Sequence, residues 1–223
     1  MEILMKENLH TEALTKEARS VYKILHKQSF LKDFYLAGRT GLALQIGHRI
    51  SQDFDFFSNK EKLTRNSRER IVRYLSDLGK VEVELEEEGT LRIYLNRIGI
   101  SFFHYDYSLI TPLLHFGNLR IVSITDIGLM KIAAIVGRGS KKDFIDLYFI
   151  ANHHIPLDNL LRLSRKKFPT ARDFPMQALR ALVYFKDAER EKMPKMIQKL
   201  RWKDVKEFFT KEVERISKKW IEI

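Results

Sequence analysis

Two aspartates at i and i+2, Asp53 and Asp55, lie in the run His48-Arg49-Ile50-Ser51-Gln52-Asp53-Phe54-Asp55-Phe56-Phe57. Read as a short strand, the run sends both carboxylates to one face while the phenylalanines pack behind them, because strand side chains alternate. Paired acids on one strand face repel each other and call for a cation. Mg²⁺ (or Mn²⁺) suits them, since a hard ion takes one or two carboxylates and completes its shell with substrate phosphates. Upstream, a predicted strand from Asp33 to Ala37 turns at Gly38 into a predicted helix from Thr40 to Gly47. Glycine lets the backbone approach a phosphate closely, and a helix start offers free N–H groups to it. Arg49 and Ser51 stand between the two halves. A phosphate cradle followed by a D-x-D strand is the layout of a nucleotidyl-transfer site.

A second group of chemical residues lies further on. Lys131 sits in Leu129-Met130-Lys131-Ile132-Ala133-Ala134-Ile135-Val136, a predicted helix that Ser123 or Thr125 can cap. An ammonium group among such neighbours is costly to bury unless an anion meets it. Either Lys131 holds a triphosphate, or its stem covers the core while its head snorkels to water. Arg138, seven residues on, can add a planar phosphate clamp. Ser140-Lys141-Lys142-Asp143 reads as a capping box, which accounts for Asp143 but not for Asp146 one turn inside the helix. His48 either touches phosphate or ends the helix before it. His153-His154 reads as a helix C-terminus rather than a metal site.

These two motifs resemble those of the nucleotidyltransferase superfamily, and most closely of the AbiEii toxin family. That family's pattern runs L-x-G-G-T-A-L-A-L and then R-x-S-x-D-x-D-F. Here Leu36, Gly38, Thr40, Leu42, Ala43, Leu44, Arg49, Ser51, Asp53, Asp55 and Phe56 match it. Arg39 departs from it, standing where the family has a second glycine or a serine. The later pattern, K-x-x-A-x-x-x-R and then R-D-x-x-D-L, is matched by Lys131, Ala134, Arg138, Asp143, Asp146 and Leu147, with Lys142 in place of the arginine. The resemblance spans Asp33 to Ile150. It implies an α+β fold, a small mixed sheet packed with helices, followed by a helical segment. It also implies transfer of a nucleoside monophosphate from an NTP to an acceptor, with RNA (tRNA 3′ ends among the candidates) as that acceptor, in a toxin-like role with a cognate antitoxin. The residues implied as catalytic are Asp53, Asp55, Lys131 and Asp146, the first two as metal ligands. Gly38, Arg39, Thr40, Arg49, Ser51 and Arg138 are implied to bind the nucleotide. Many nucleotidyltransferases carry a third carboxylate on a later strand; the predicted strand Ile100 to Tyr105 has none, and Asp106 just beyond reads as a loop residue. That gap and Arg39 leave one alternative, a non-catalytic module on this scaffold that binds nucleic acid or protein.

The elements that must position these residues are legible at low resolution. A helix is predicted over Thr11 to Gln28 and another over Leu63 to Leu78, then strands over Val81 to Leu85, Leu91 to Leu95 and Ile98 to Tyr105. After Pro112 the pattern reads as helical to the end. This suggests an α/β core over residues 1–118 and a helical, basic region over 119–223, which can pack as one unit. The 223 residues hold 40 Lys+Arg against 29 Asp+Glu, a net charge of +11. From Asn159 onward there are 18 Lys+Arg and 9 Asp+Glu, so +9 of that charge lies in the last segment. Such asymmetry suits a polyanionic partner, or else a set of salt-bridged, solvated helices. The absence of cysteine excludes disulfides and thiolate zinc sites. Charges in Met1 to Glu7 break any signal-peptide pattern, and no apolar run is long enough to span a bilayer. The expectation is a soluble, cytoplasmic protein without membrane contact.

Overall fold

The computed structural model describes residues 9–221; the charged N-terminal run read above lies outside them. In chain order the elements are α1 (Lys16–Leu25), β1 (Tyr35–Leu36), α2 (Gly38–Ile46), β2 (Phe54–Ser58), α3 (Arg65–Ser76), β3 (Val81–Glu87), β4 (Thr90–Leu95) and β5 (Ile98–His104). There follow β6 (Leu114–Phe116), β7 (Leu119–Ile121), α4 (Ile124–Gly137), α5 (Lys141–His153), α6 (Leu157–Lys167), α7 (Phe174–Ala181), α8 (Lys186–Glu189) and α9 (Trp202–Ile221). The expected α+β class holds.

The strands form a single seven-stranded sheet in the order β3-β4-β5-β2-β1-β7-β6. β2 is central, antiparallel to β1 and parallel to β5, with Asp55 opposite Ser101. β1 in turn runs parallel to β7. The hairpin β6–β7 corrects the reading of helix after Pro112, and it straddles the 118/119 boundary expected from sequence. Two strands of three residues each are too short to show a period, so the pattern could not reveal them.

Period-2 alternation sorts the sheet into two unlike faces. Phe54 and Phe56 of β2, Leu91, Ile93 and Leu95 of β4, and Ile98, Ile100 and Phe102 of β5 bury against α1 and α3. The alternate residues, Asp55 and Phe57 of β2 with Gly99, Ser101 and Phe103 of β5, line a cleft on the other face. Phe57 therefore shares the aspartates' side instead of packing behind them. The second apolar cluster joins Tyr35, Ala37 and Leu42 to α4, α5, α6, α7 and α9, so the helical half closes onto this face of the sheet.

One buried ion pair fixes how that half docks. Asp126, in the first turn of α4, accepts hydrogen bonds from the Ile110 and Thr111 N–H groups and the Thr111 hydroxyl. Lys167, at the end of α6, donates from Nζ to Asp126 Oδ1 at 2.7 Å and to the Ser108 carbonyl at 2.8 Å. Both side chains are fully buried. Removing the cation leaves a carboxylate dry and unpaired, which typically costs about 3–5 kcal/mol. Lys167→Met should lower stability by that order in urea unfolding with little change in m-value; a loss below about 1 kcal/mol would show that the pair does not anchor α6.

Candidate active site

Asp55 belongs to β2, and Asp53 immediately precedes that strand; both line a cleft of about 760 Å³. A glycine backs each carboxylate. Gly38 opens α2 with φ +60°, and a Cβ there would stand 2.8 Å from Asp55 Oδ2. A Cβ on Gly99 of β5 would stand 3.0 Å from Asp53 Oδ1. Side chains at either position would crowd the acids, so both glycines keep oxygen-lined space open.

No hydrogen-bond donor among the described residues reaches the Asp55 carboxylate. Burial raises its pKa above the ordinary range, Arg39 and Lys131 pull it back, and Asp53 raises it further. Arg39 Nη2 lies 3.4 Å from Asp53 Oδ2, with both side chains about one-third exposed (33% and 35%), so the contact is loose and open to exchange. Two hard carboxylates, one of them without a protein partner, fit a divalent cation.

Thr40 and Ser51 stand elsewhere. Both are buried, with their hydroxyls 2.7 Å apart, and Thr40 Oγ1 also donates to the Asp53 carbonyl. They fix the backbone that carries Asp53 from behind and do not line the cleft. A backbone bond from Ala37 N to Asp55 O, 3.0 Å, ties the Gly38 turn to the same strand.

The second group forms a buried network. Ser123 and Ser140 cap α4 and α5 as read from the sequence, each accepting from the N–H three residues on. Lys131, on α4 and 4% exposed, reaches Asp143 Oδ1 at 2.8 Å and Asp146 Oδ2 at 2.6 Å, both on α5. Arg49 meets Asp146 with two parallel bonds, Nε to Oδ1 at 2.7 Å and Nη2 to Oδ2 at 2.8 Å. His48 Nε2 adds a third contact to Oδ1 at 2.8 Å. Burial raises the Asp146 pKa, but the Lys131 and Arg49 charges with their hydrogen bonds outweigh it and hold the carboxyl well below the usual range. An ionised Asp146 requires the proton on His48 Nε2; the buried Nδ1 then has no partner. Burial lowers the imidazole's pKa, more than Asp146 raises it, which keeps the ring neutral.

Asp146 and Arg49 therefore lie behind the cleft and position what faces it. Lys131, Arg138 and Asp143 do face it. Arg138 donates to Asp143 Oδ2 at 3.0 Å while its side chain stays 69% exposed, so most of its guanidinium is free for a ligand. Sequence reasoning gave Asp143 only a capping role and did not find its bond to Lys131. The rest of the cleft is aromatic and polar. Phe57 stands with its ring centre 5.1 Å from Phe103 and 5.7 Å from Tyr105, opposite Met130 and Ile127 of α4. These wall residues were missed too, although the alternation of Gly99, Ser101 and Phe103 against Ile98, Ile100 and Phe102 was there to be read.

Ser101 faces Asp55 at the position of β5 where a third carboxylate would fall. Asp106 points away, 85% exposed and paired to His104 at 2.7 Å. His153 ends α5 and His154 caps it, as read from the sequence. Among the described residues no cluster of three or more His, Asp or Glu side chains is placed to hold a metal.

Comparison with known proteins agrees with this geometry. The family model described as nucleotidyl transferase AbiEii toxin, type IV TA system, matches residues 21–221. An uncharacterized protein of Aquifex aeolicus is 38% identical over 203 residues, covering 90% of this chain and 96% of its own length. Among solved structures, MenT4, a nucleotidyltransferase toxin of Mycobacterium tuberculosis, superposes with a TM-score of 0.59 at 16% identity, covering 93% of this chain and 87% of that one. JHP933 of Helicobacter pylori gives 0.54 at 18% identity, over 94% and 95% of the two chains. At such identities the structures speak for the fold alone, while the family model speaks for nearly the whole sequence. The chain belongs to the AbiEii family of nucleotidyltransferase toxins of type IV toxin–antitoxin systems.

Proposed function

We propose that the cleft binds an NTP with Mg²⁺ (or Mn²⁺) and transfers its nucleoside monophosphate to an RNA acceptor. The observation that carries this reading is the carboxylate pair, backed by two glycines and facing a paired lysine across one cleft. The volume of about 760 Å³ suits a ligand the size of a nucleotide. With the cation bound, the phosphates would be neutralised and an attacking hydroxyl made more acidic.

This chain's own residues do the rest. Asp53 and Asp55 would hold the cation. Gly38 and the free N–H groups of the first turn of α2 would receive phosphate oxygens. Lys131 spends two of its three N–H donors on Asp143 and Asp146, which fixes the third beside the cleft for the transferring group. Arg138 and Arg39 would clamp the remaining phosphates. The Phe57, Phe103 and Tyr105 wall offers ring faces for a base to stack on. A cognate antitoxin is the expected protein partner. No helix among the described residues is long and apolar enough to cross a membrane. We place the protein in the cytoplasm, where NTP and RNA are both at hand.

Two measurements test the reading. Asp55→Asn removes a buried charge that repels Asp53, so the metal-free melting temperature should rise by about 2–4 °C, the shift expected for ~1 kcal/mol in a chain of this length. The same variant should lose the Mg-NTP-dependent rise in melting temperature, and transfer of labelled nucleotide to RNA should fall more than about 100-fold. If the variant binds Mg-NTP as the wild type does, the site lies elsewhere.

Arg39 supplies the second. Its head stands beside Asp53 and leaves the Gly38 cradle open, so Arg39→Gly should keep or weaken nucleotide transfer by no more than about tenfold, the loss expected for one partly exposed phosphate contact. A silent wild type awakened by that change would mark the chain as a non-catalytic module whose arginine closes the site.

A further inference from the structure

Beside the main cleft lies a second pocket of about 590 Å³, lined by Arg39, Arg138, Ser140, Lys142, Lys192 and Met193 together with Asp143, Glu191 and Pro194. It shares Arg39, Arg138 and Asp143 with the cleft, so those three side chains form the wall between the two. Four cations face two carboxylates here. Both carboxylates are already engaged: Asp143 by Lys131, Arg138 and Ser140, and Glu191 by the Lys141 backbone N–H at 3.1 Å. Lys142 and Lys192 have no carboxylate within ion-pair reach among the described residues. The helix with the most basic residues is different. On α9, Lys203, Lys206, Arg215, Lys218 and Lys219 all pair with carboxylates, leaving Lys211 as the exception.

We infer that this side pocket is the acceptor subsite, binding a backbone phosphate near the end of a single RNA strand. The inference rests on the proposed transfer reaction in the main cleft. A phosphate held by Lys142 and Lys192 places the next sugar at the wall shared with the main cleft and its hydroxyl toward Asp53 and Asp55. The cleft itself is large enough for a whole NTP, so the triphosphate has no need of the side pocket. A protein acceptor would present no phosphate to it. The segment that carries Lys192 is held in register, because Ile50 N donates to Lys195 O at 2.8 Å and Ile197 N to His48 O at 2.9 Å. The backbone just beyond Lys192 is therefore tied to the segment that leads to Asp53.

The test uses the full chain, a fluorescein-labelled 12-nucleotide single-stranded RNA, and each of the four NTPs with Mg²⁺. The double variant Lys142→Gln, Lys192→Gln should bind the RNA about 10–30-fold more weakly at 100 mM salt. Its log–log salt slope should shrink by about 0.7, the share of the one phosphate the two lysines hold. Its NTP affinity should match the wild type. The pair Lys203→Gln, Lys218→Gln on α9 should leave RNA affinity within about twofold, because those charges are already neutralised locally. The inference falls if the double variant binds RNA as tightly and with the same slope, or if the α9 pair weakens binding equally. It falls as well if NTP affinity drops while RNA binding stays, since the pocket would then serve the nucleotide. A wild type that binds RNA through these lysines but no NTP would instead refute the reading of the main cleft.

Discussion

Asp146 is a carboxylate with no exposed surface, and three donors from two distant parts of the chain converge on it: Arg49 and His48 from the segment before β2, and Lys131 from α4. A charge so placed is tolerated only while all its partners stay. Removing one partner of such a pair strands the other, at a cost of about 3–5 kcal/mol. The network therefore holds together pieces that pattern alone would leave free to slide. It fixes the Arg49–Asp53 approach to the sheet against the α4–α5 hairpin. The segment at residues 195–198 pairs back onto His48 and Ile50 and joins the same junction.

Electrostatics divides the site into two halves. On the helical wall of the cleft and behind it, Asp143 and Asp146 are matched by Lys131, Arg49 and Arg138, and their pKa values are held down in spite of burial. On the sheet side, Asp53 meets only the loosely held Arg39, no donor reaches Asp55, and burial drives the Asp55 pKa up. The first half is held together by matched charges. The second half is left in want of a cation, which is the arrangement expected where stability has been given up for binding.

Much of this was legible in the residues. D-x-D between phenylalanines gave both the strand and the shared face, because a period of two leaves no other choice. Ser140 and Asp143 gave a helix start through capping chemistry. What could not be read were the contacts between residues far apart in sequence. Nothing local tells that Asp146 is the partner of Arg49, 97 positions away, or that Thr40 and Ser51 turn inward to hold the Asp53 backbone. A polar residue in a motif reads the same whether it meets ligand or main chain. The strand expected over Asp33 to Ala37 shrinks to β1, and β6 and β7 escaped because each has only three residues and its pairing partner is what defines it.

The charge asymmetry of the C-terminal half shows how far composition can carry a claim about partners. A net +9 after Asn159 suggests a broad basic surface, yet α9, with six of those cations, neutralises five of them within one or two turns or against a neighbouring helix. Net charge sets the long-range field that draws a polyanion in, and that field falls off within about 10 Å at 0.1 M salt. Where a polyanion would come to rest depends on which cations have no other partner. Lys142 lies outside the basic segment altogether and meets Lys192 only because α5 folds back against the residues near 190. Position in the fold, more than position in the sequence, decides which positive charges are left free to bind.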